Sequence, residues 1–446
     1  MKGFKAYDIR GVYNKDFNKE DVYKLGFFIP GLFETGQILV GRDMRESSEE
    51  IFEAFTKGIL DSGTDVVEIG LSTTPMLYFA AGKHGFDASV QITASHNPKE
   101  YNGFKVSGKD VMPVGYDNGL HKLEEWVDKA PVNPAANKGS IRSLDVKEEY
   151  IRFLSSYKNA DISSLRIGID CSNGMAGFLI KDILGEEPDY IFDHPDGTFP
   201  NHEPNPLEPH NQEHIKKLVK EQALDLGMIF DGDGDRVMFI DEQGSFISPD
   251  LIIALLGKYF LKQPGEVVLQ DIRSSKSVKE YLSRFGANVQ TWRVGRAYAV
   301  PKLKELNGSF GGELAGHYYF KDFYYSDSGL LASLVVLDIV AEARKEGRTL
   351  SQLISDISGY YSSGEINFTI NHKSEAMERV RNYYEEQEKP TEVLDFDGYR
   401  LEFADWWFNI RPSNTEPYLR LIVEANSQEL LDQKVEEIEN LVKKIS

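Results

Sequence analysis

Short apolar runs that stop abruptly in polar or glycine-bearing loops recur along this chain, most of them followed by a stretch with helical spacing. Ile38-Leu-Val-Gly41-Arg42-Asp43 and Asp65-Val-Val-Glu-Ile69 are two such runs near the start. Ala88-Ser-Val-Gln-Ile92, Leu165-Arg-Ile-Gly-Ile-Asp170, Leu226-Gly-Met-Ile-Phe230, Val267-Val-Leu-Gln270 and Val289-Gln-Thr-Trp292 continue the pattern. Strands alternating with helices predict α/β units with largely parallel sheets. In such sheets ligands gather beyond the carboxyl ends of the strands, so the loops that end these runs carry the candidate chemistry.

A chain of 446 residues is too long for one hydrophobic core and divides into several domains. A soft boundary falls in Pro131-Val-Asn-Pro-Ala-Ala-Asn-Lys-Gly139. The strand–loop–helix layout then repeats over residues 140–247 and 248–361. Residues 362–446 differ in kind, with β-rich stretches at Ile366–Ile370 and Arg400–Phe403 and a closing amphipathic helix over Leu430–Ile445. The expected architecture is three related α/β units over 1–139, 140–247 and 248–361, plus one α+β unit over 362–446. Within the first unit, Phe4–Gly11 reads as a short strand breaking at glycine. Ser47 and Glu50 have capping-box spacing ahead of a helix that Gly63 stops. Thr74-Pro75 opens the next helix.

Hydrophobic content of 41% and charged content of 27% are those of a globular protein in water, and no run is long enough to span a bilayer. Met1-Lys-Gly-Phe-Lys5 passes straight into polar sequence, without a signal-peptide core. Cys171 is the single cysteine, which excludes an intrachain disulfide framework and a cysteine-based zinc site; the cytoplasm is the expected compartment. A net charge of −21 argues against nucleic acid as the main partner. An anionic small substrate requires cations gathered locally.

Four loops carry the chemistry. Thr93-Ala-Ser95-His96-Asn-Pro98 follows a buried strand, and Pro98 keeps the loop from continuing as helix. His96 is a poor base for Ser95, because neighbours in an extended loop point to different sides, and the nucleophile-elbow pattern of serine hydrolases is absent. Asp231-Gly-Asp233-Gly-Asp235-Arg236 places three carboxylates at alternate positions on a glycine-loosened turn. Like charges about 4 Å apart repel by roughly 4 kcal/mol per pair at an effective dielectric near 20, so their convergence calls for a hard divalent cation. An EF-hand reading would put Glu242 at the twelfth position, but it fails where Arg236 replaces the required glycine, and both flanks read as strands. Arg411-Pro-Ser413-Asn414-Thr415 offers donors suited to a phosphate dianion, with Arg420 as a second cation. Gly311-Gly-Glu313-Leu-Ala315-Gly-His317 offers a carboxylate for sugar hydroxyls and an imidazole for proton transfer. A serine beside an aspartate-bound cation, with arginine-lined anion sites, points to phosphoryl transfer.

Taken together, these loops resemble the α-D-phosphohexomutase family, most closely its phosphomannomutase/phosphoglucomutase branch. The matching segments are AYDIRG at Ala6–Gly11, TASHNP at Thr93–Pro98, DGDGDR at Asp231–Arg236, GELAGH at Gly312–His317 and RPSNTEP at Arg411–Pro417, in the family's order. The resemblance implies four domains around a central cleft, three of them three-layer α/β/α and the last α+β. It implies that Ser95 carries a phosphoryl group and that magnesium is held there by Asp231, Asp233 and Asp235. Phosphate would move between O1 and O6 of a hexose through a hexose 1,6-bisphosphate, with a phosphosugar as the small-molecule substrate. Arg411, Ser413, Asn414 and Thr415 would hold the unreacting phosphate, and Glu313 the sugar hydroxyls. Tyr7, Arg10, Lys105 and His317 would contact substrate and handle protons near Ser95. His96, Arg236, Arg273, Arg296 and Arg420 would complete the binding cleft. Ala315 stands where the family usually has serine, and Arg273 and Arg296 where close relatives have lysine and histidine. The AYDIRG opening and Asn414 favour the mannose/glucose branch over phosphoglucosamine mutase. A metal-dependent sugar phosphatase using the same serine is the alternative from another reaction class.

Overall fold

The structure, a computed structural model, describes residues 1–413 and 418–443. Its strands form four separate sheets. The first sheet runs, in spatial order, Ile9–Val12, Tyr101–Gly108, Ala88–Ile92, Gln37–Arg42, Asp65–Leu71, Ile141–Ser143. The last four of these are parallel, and the first two add on antiparallel. Ile38 and Val40 pack with Ile51 and Phe55 on one face, while Leu39 packs with Val67 and Leu77 on the other. Helices thus cover both faces, which is why the strand before Ser95 is buried at every residue. The sixth strand lies beyond residue 139, so the Pro/Asn-rich stretch loops out and returns to the same sheet.

Sequence and structure differ in detail at two other places in this unit. The first strand begins at Ile9 and continues through Gly11, which pairs with Asn102 instead of breaking the strand. Helix Ser48–Asp61 has no side-chain cap from Ser47; the Ser47 and Ser48 hydroxyls instead accept hydrogen bonds from Asn102 Nδ2 at 2.9 and 3.0 Å. Tertiary packing has drawn the capping hydroxyl onto a neighbouring strand.

The second sheet runs Phe246–Ile247, Val237–Asp241, Leu226–Phe230, Ile167–Asp170, Asp189–Ile191, and the third Asn288–Trp292, Val267–Asp271, Phe310–Gly312, Tyr318–Phe320. The fourth is antiparallel throughout, and helices Lys373–Gln387 and Gln428–Lys443 join its core. Tyr361–Ser362 already pairs with strand Leu419–Ala425 of this last sheet. The architecture is therefore a four-domain α/β one. Among the described residues no helix is long and apolar enough to cross a membrane.

Candidate active site

Strand Ala88–Ile92 delivers its loop at the carboxyl end of the parallel strands. Thr93 Oγ1 accepts the Ser95 N–H at 2.9 Å, and Ala94 O accepts the Asn97 N–H at 3.1 Å, which tightens the turn. Ser95 takes a left-handed φ of 52°. The loop is therefore not extended at the serine, and His96 Nδ1 lies 3.4 Å from Ser95 Oγ, correcting the expectation that the two side chains point apart. Burial and the nearby Arg236, Arg10 and Lys105 charges hold His96 well below the usual imidazole range, so it is neutral.

Asp231 to Arg236 link the antiparallel strands Leu226–Phe230 and Val237–Asp241. Strands, not helices, flank the loop, which removes the EF-hand reading. Gly234 sits at φ 76°, and Asp231 Oδ1 accepts the N–H groups of Gly234 and Arg236 at 3.0 and 3.2 Å. Asp231 Oδ2 accepts from Ser95 Oγ at 2.9 Å and from Arg236 Nε at 3.1 Å. Lys105 Nζ, on the strand beside the Ser95 strand, donates to Asp233 Oδ2 at 2.6 Å and to Asp235 Oδ2. Asp233 Oδ1 and Asp235 Oδ1 are buried with no hydrogen-bond partner. One oxygen from each aspartate lies within 4.8 Å of the others. Burial, then the charges of Asp235 and Asp233, push Asp231 up to about 7. For Asp235 burial acts the same way, but Lys105 and His317 outweigh it and hold the carboxyl low. Unbonded oxygens and an under-neutralised carboxylate set are what a hard divalent cation satisfies, so the donors present fit such an ion.

Arg10 donates to Asn97 Oδ1 at 2.6 Å and pairs with Asp8, placing its guanidinium beside the serine loop. His317 Nδ1 faces Asp327 Oδ2 at 2.6 Å and Asp235 Oδ1 at 3.8 Å. Burial opposes the imidazolium, yet Asp235, Asp327 and Glu313 raise the His317 pKa. Asp327 is fully buried and also accepts from Arg296 Nε at 3.0 Å. Sequence reasoning missed it; its only local mark is an acid directly before Ser328, the N-cap of helix Gly329–Lys345. Arg296 further donates from Nη2 to Ser326 Oγ and Val111 O, and its guanidinium lies 4.0 Å from the centre of the Tyr78 ring. It ties the third unit to the first.

Glu313 is buried; its Oε1 accepts from Tyr319 OH at 2.6 Å and from the Gly295 N–H at 3.2 Å. Arg273 lies 4.0 Å from Glu313 Oε2 and is gripped by both oxygens of Asp271, one of which also accepts the Leu314 N–H. Ala315 is half-buried in the same turn. Arg411 pairs with Asp397 at 3.0 Å, and Arg420 with Glu365 at 3.1 Å, a carboxylate that also lies 3.8 Å from Arg273. Asp397 accepts the Val294 N–H, while Tyr7 OH donates to Val294 O at 3.1 Å. Ser413 N–H bonds Tyr418 O at 2.9 Å; Asn414 and Thr415 lie outside the described residues. Ser95, His96, Arg10, Lys105, the three aspartates, Arg236 and His317 thus form one contiguous cluster. Arg273 lies near Glu313 and shares Glu365 with Arg420, which faces Arg411 across adjacent strands, and Asp397, Glu365 and Asp271 had no mark in the sequence.

Comparison with known proteins agrees along the whole chain. The alpha/beta/alpha domains I, II and III of phosphoglucomutase/phosphomannomutase match residues 1–131, 148–244 and 248–360, and the C-terminal domain matches 365–441. A phosphomannomutase of Methanocaldococcus jannaschii is 36% identical over 99% of this chain and 98% of its own length. A protein of Xanthomonas campestris described as phosphohexose mutases is 34% identical over 99% of each chain. The crystal structure of a phosphoglucomutase/phosphomannomutase family protein from Burkholderia thailandensis superposes with a TM-score of 0.88 at 28% identity, covering 99% of this chain and 97% of that one. With these matches spanning all four units and the serine loop set against the aspartate loop, the chain belongs to the phosphoglucomutase/phosphomannomutase family.

Proposed function

We propose that this hexose phosphate mutase interconverts the 6- and 1-phosphates of mannose and glucose, with Ser95 as phosphoryl carrier and a hexose 1,6-bisphosphate as intermediate. The observation that carries the reading is the approach of Ser95 Oγ to Asp231 at 2.9 Å, inside a cluster containing Lys105, Arg236 and Arg10. A phosphoserine adds about −1.5 to −2 charge, and these cations are placed to offset it.

In the first half-reaction the Oγ–P bond of Ser95 breaks as a P–O bond forms to the free sugar hydroxyl, whose proton ends on Ser95 Oγ. In the second, Ser95 Oγ attacks the other phosphate, its P–O bond to the sugar breaks, and the serine proton passes to the sugar oxygen. Neutral His96, 3.4 Å from Oγ and kept from protonation by burial and the nearby cations, is suited to orient the serine hydroxyl, and the imidazolium of His317, held by Asp327, to relay the proton to the departing oxygen. Magnesium held by Asp231, Asp233, Asp235 and the Ser95 phosphoryl group would neutralise charge developing on the transferred group. Arg411 and Arg420, with Ser413, Asn414 and Thr415, would grip the phosphate that is not reacting, exchanging Asp397 and Glu365 for it. Glu313 would read the sugar hydroxyls, and Ala315 removes one hydroxyl from that loop.

The test is initial rate on mannose 1-phosphate, glucose 1-phosphate and glucosamine 1-phosphate, with magnesium and catalytic glucose 1,6-bisphosphate. Comparable rates on the first two are expected, and Ser95→Ala should lower turnover by roughly 1000-fold or more. A preference for the amino sugar would move the enzyme to another branch of the family. Phosphate release matching turnover would make it a phosphatase.

A further inference from the structure

Arg45 is among the most deeply buried cations of the chain, with a side chain 0% exposed. Strand Gln37–Arg42 ends just before it. Asp43 then turns the chain: its N–H bonds Ile92 O, and its Oδ1 accepts from the Arg45 N–H and Ser48 Oγ. This turn sends the Arg45 side chain beneath the serine loop. There Nη2 donates to Ser95 O at 2.9 Å and Asn97 O at 2.7 Å, and Nη1 to Pro98 O at 2.8 Å and Tyr101 O at 3.0 Å. The remaining edge forms an ion pair with Asp43 Oδ2 at 3.2 Å, and the guanidinium lies 5.0 Å from the centre of the Phe199 ring of the second unit.

We propose that Arg45 is a positioning residue for the phosphoryl-transfer reaction, which by drawing four loop carbonyls onto one guanidinium holds Ser95 in the backbone conformation that aims Oγ at the aspartates. The inference rests on the reading of Ser95 as phosphoryl carrier. A left-handed serine is unfavourable and persists only where its surroundings over-determine it. Thr93 Oγ1 fixes the N–H side of Ser95 and Arg45 fixes its carbonyl. Gly232 of the metal loop closes over the same carbonyl: a Cβ there would fall 2.4 Å from Ser95 O. The serine carbonyl is thus held between the cation of the first unit and the aspartate loop of the second. Phe199 extends this junction, since Gly197 beside it packs so closely that a Cβ would lie 2.5 Å from Met44 O. A planar fork with donors on both terminal nitrogens can reach four carbonyls at once; an ammonium cannot.

The experiment compares Arg45→Lys, Arg45→Met and Asp43→Asn with the wild-type enzyme at a temperature where circular dichroism shows each to be folded. Both Arg45 variants should lose about 100-fold in kcat, the scale of a misplacement near 1 Å, while KM for the sugar phosphate stays within about threefold. Asp43→Asn keeps the turn acceptor but loses the ion pair, and should lose about tenfold in kcat with KM again unchanged. A merely structural role would lower the melting temperature and leave kcat of the folded protein intact. Peptide mass spectrometry of Ser95 after incubation with glucose 1,6-bisphosphate separates the two ideas. If wild-type Ser95 takes no phosphate, the carrier reading fails and this inference with it. If it does, and the folded variants keep wild-type kcat, Arg45 alone is overturned; should neither Arg45 variant fold, unchanged kcat in Asp43→Asn overturns it.

Discussion

At Asp233 two donors share one oxygen: Thr74 Oγ1 and Lys105 Nζ both reach Oδ2, and Oδ1 is left buried and unbonded. The Thr74 N–H also donates to Asp233 O at 3.0 Å, so the first turn of helix Thr74–His84 holds this aspartate by side chain and backbone. Thr74 came to light only in the structure, since nothing in Thr74-Pro75 beyond a helix start marks it as a partner of a residue 159 positions away. Partners that orient metal ligands typically contribute 10–100-fold in metal affinity. Thr74→Val, which keeps the shape and loses the hydroxyl, is expected to raise the magnesium concentration for half-maximal activity by about 10–100-fold. Titration of activity with magnesium checks this, and an unchanged midpoint would mean that Lys105 alone orients Asp233.

Helices Lys19–Phe28 and Ser48–Asp61 cross so closely that only glycine fits at the contact. A Cβ on Gly26 would lie 2.0 Å from Phe55 O, and one on Gly58 2.2 Å from Tyr23 O. This approach seats Ile51 and Phe55 on the first sheet, and Ser47 and Ser48 against Asn102, three residues before Lys105 on its strand. Packing at the helix pair is therefore continuous with the strand that carries a site lysine. Gly26→Ala is expected to destabilise the first unit by about 1–3 kcal/mol or more, since backbone cannot move aside as a side chain can. Urea unfolding should show a lower midpoint with an unchanged slope. The sequence marks the second of these helices through its spacing, but a glycine inside a helix does not say which backbone it must meet.

Across the whole molecule, the third and fourth units meet through buried polar groups. Arg400 donates from Nη1 to Ile272 O and Ser274 O at 2.8 and 2.6 Å, and its guanidinium lies 3.7 Å from the centre of the Trp407 ring. Glu424 Oε2 accepts from Ser275 Oγ at 2.7 Å and Trp407 Nε1 at 2.8 Å. Burial, then the charge of Asp250, push Glu424 up to about 8 against the opposing effects of its hydrogen bonds and Arg400. A carboxyl whose folded pKa is raised contributes no penalty below its ordinary value near 4.5, and loses stability as pH rises from there towards 8. The slope is at most about 1.4 kcal/mol per pH unit. Glu424→Gln keeps an acceptor for both donors and removes the titration. Its thermal stability should exceed that of the wild type at pH 7–8 and converge with it near pH 4.5, as read from melting temperatures across that range; parallel curves would show that Glu424 does not titrate in this window.

Contiguous chemistry is what the sequence by itself determined. Three aspartates at alternate positions on a glycine-loosened turn, and a serine at the end of a buried run, are both legible in single short segments. The α/β character of the first three units follows likewise from periodicity. Tertiary structure alone decided that these loops meet: Ser95 and Asp231 are 136 positions apart, and their 2.9 Å contact depends on how two separate sheets pack. It also decided the supporting residues. Asp327 under His317, Asp397 and Glu365 on the arginines, and Arg45 beneath the serine loop are single polar residues whose roles come from burial and from partners distant in sequence. A residue of that kind leaves no periodic or motif signal, since its environment is assembled from segments that only the folded chain brings together.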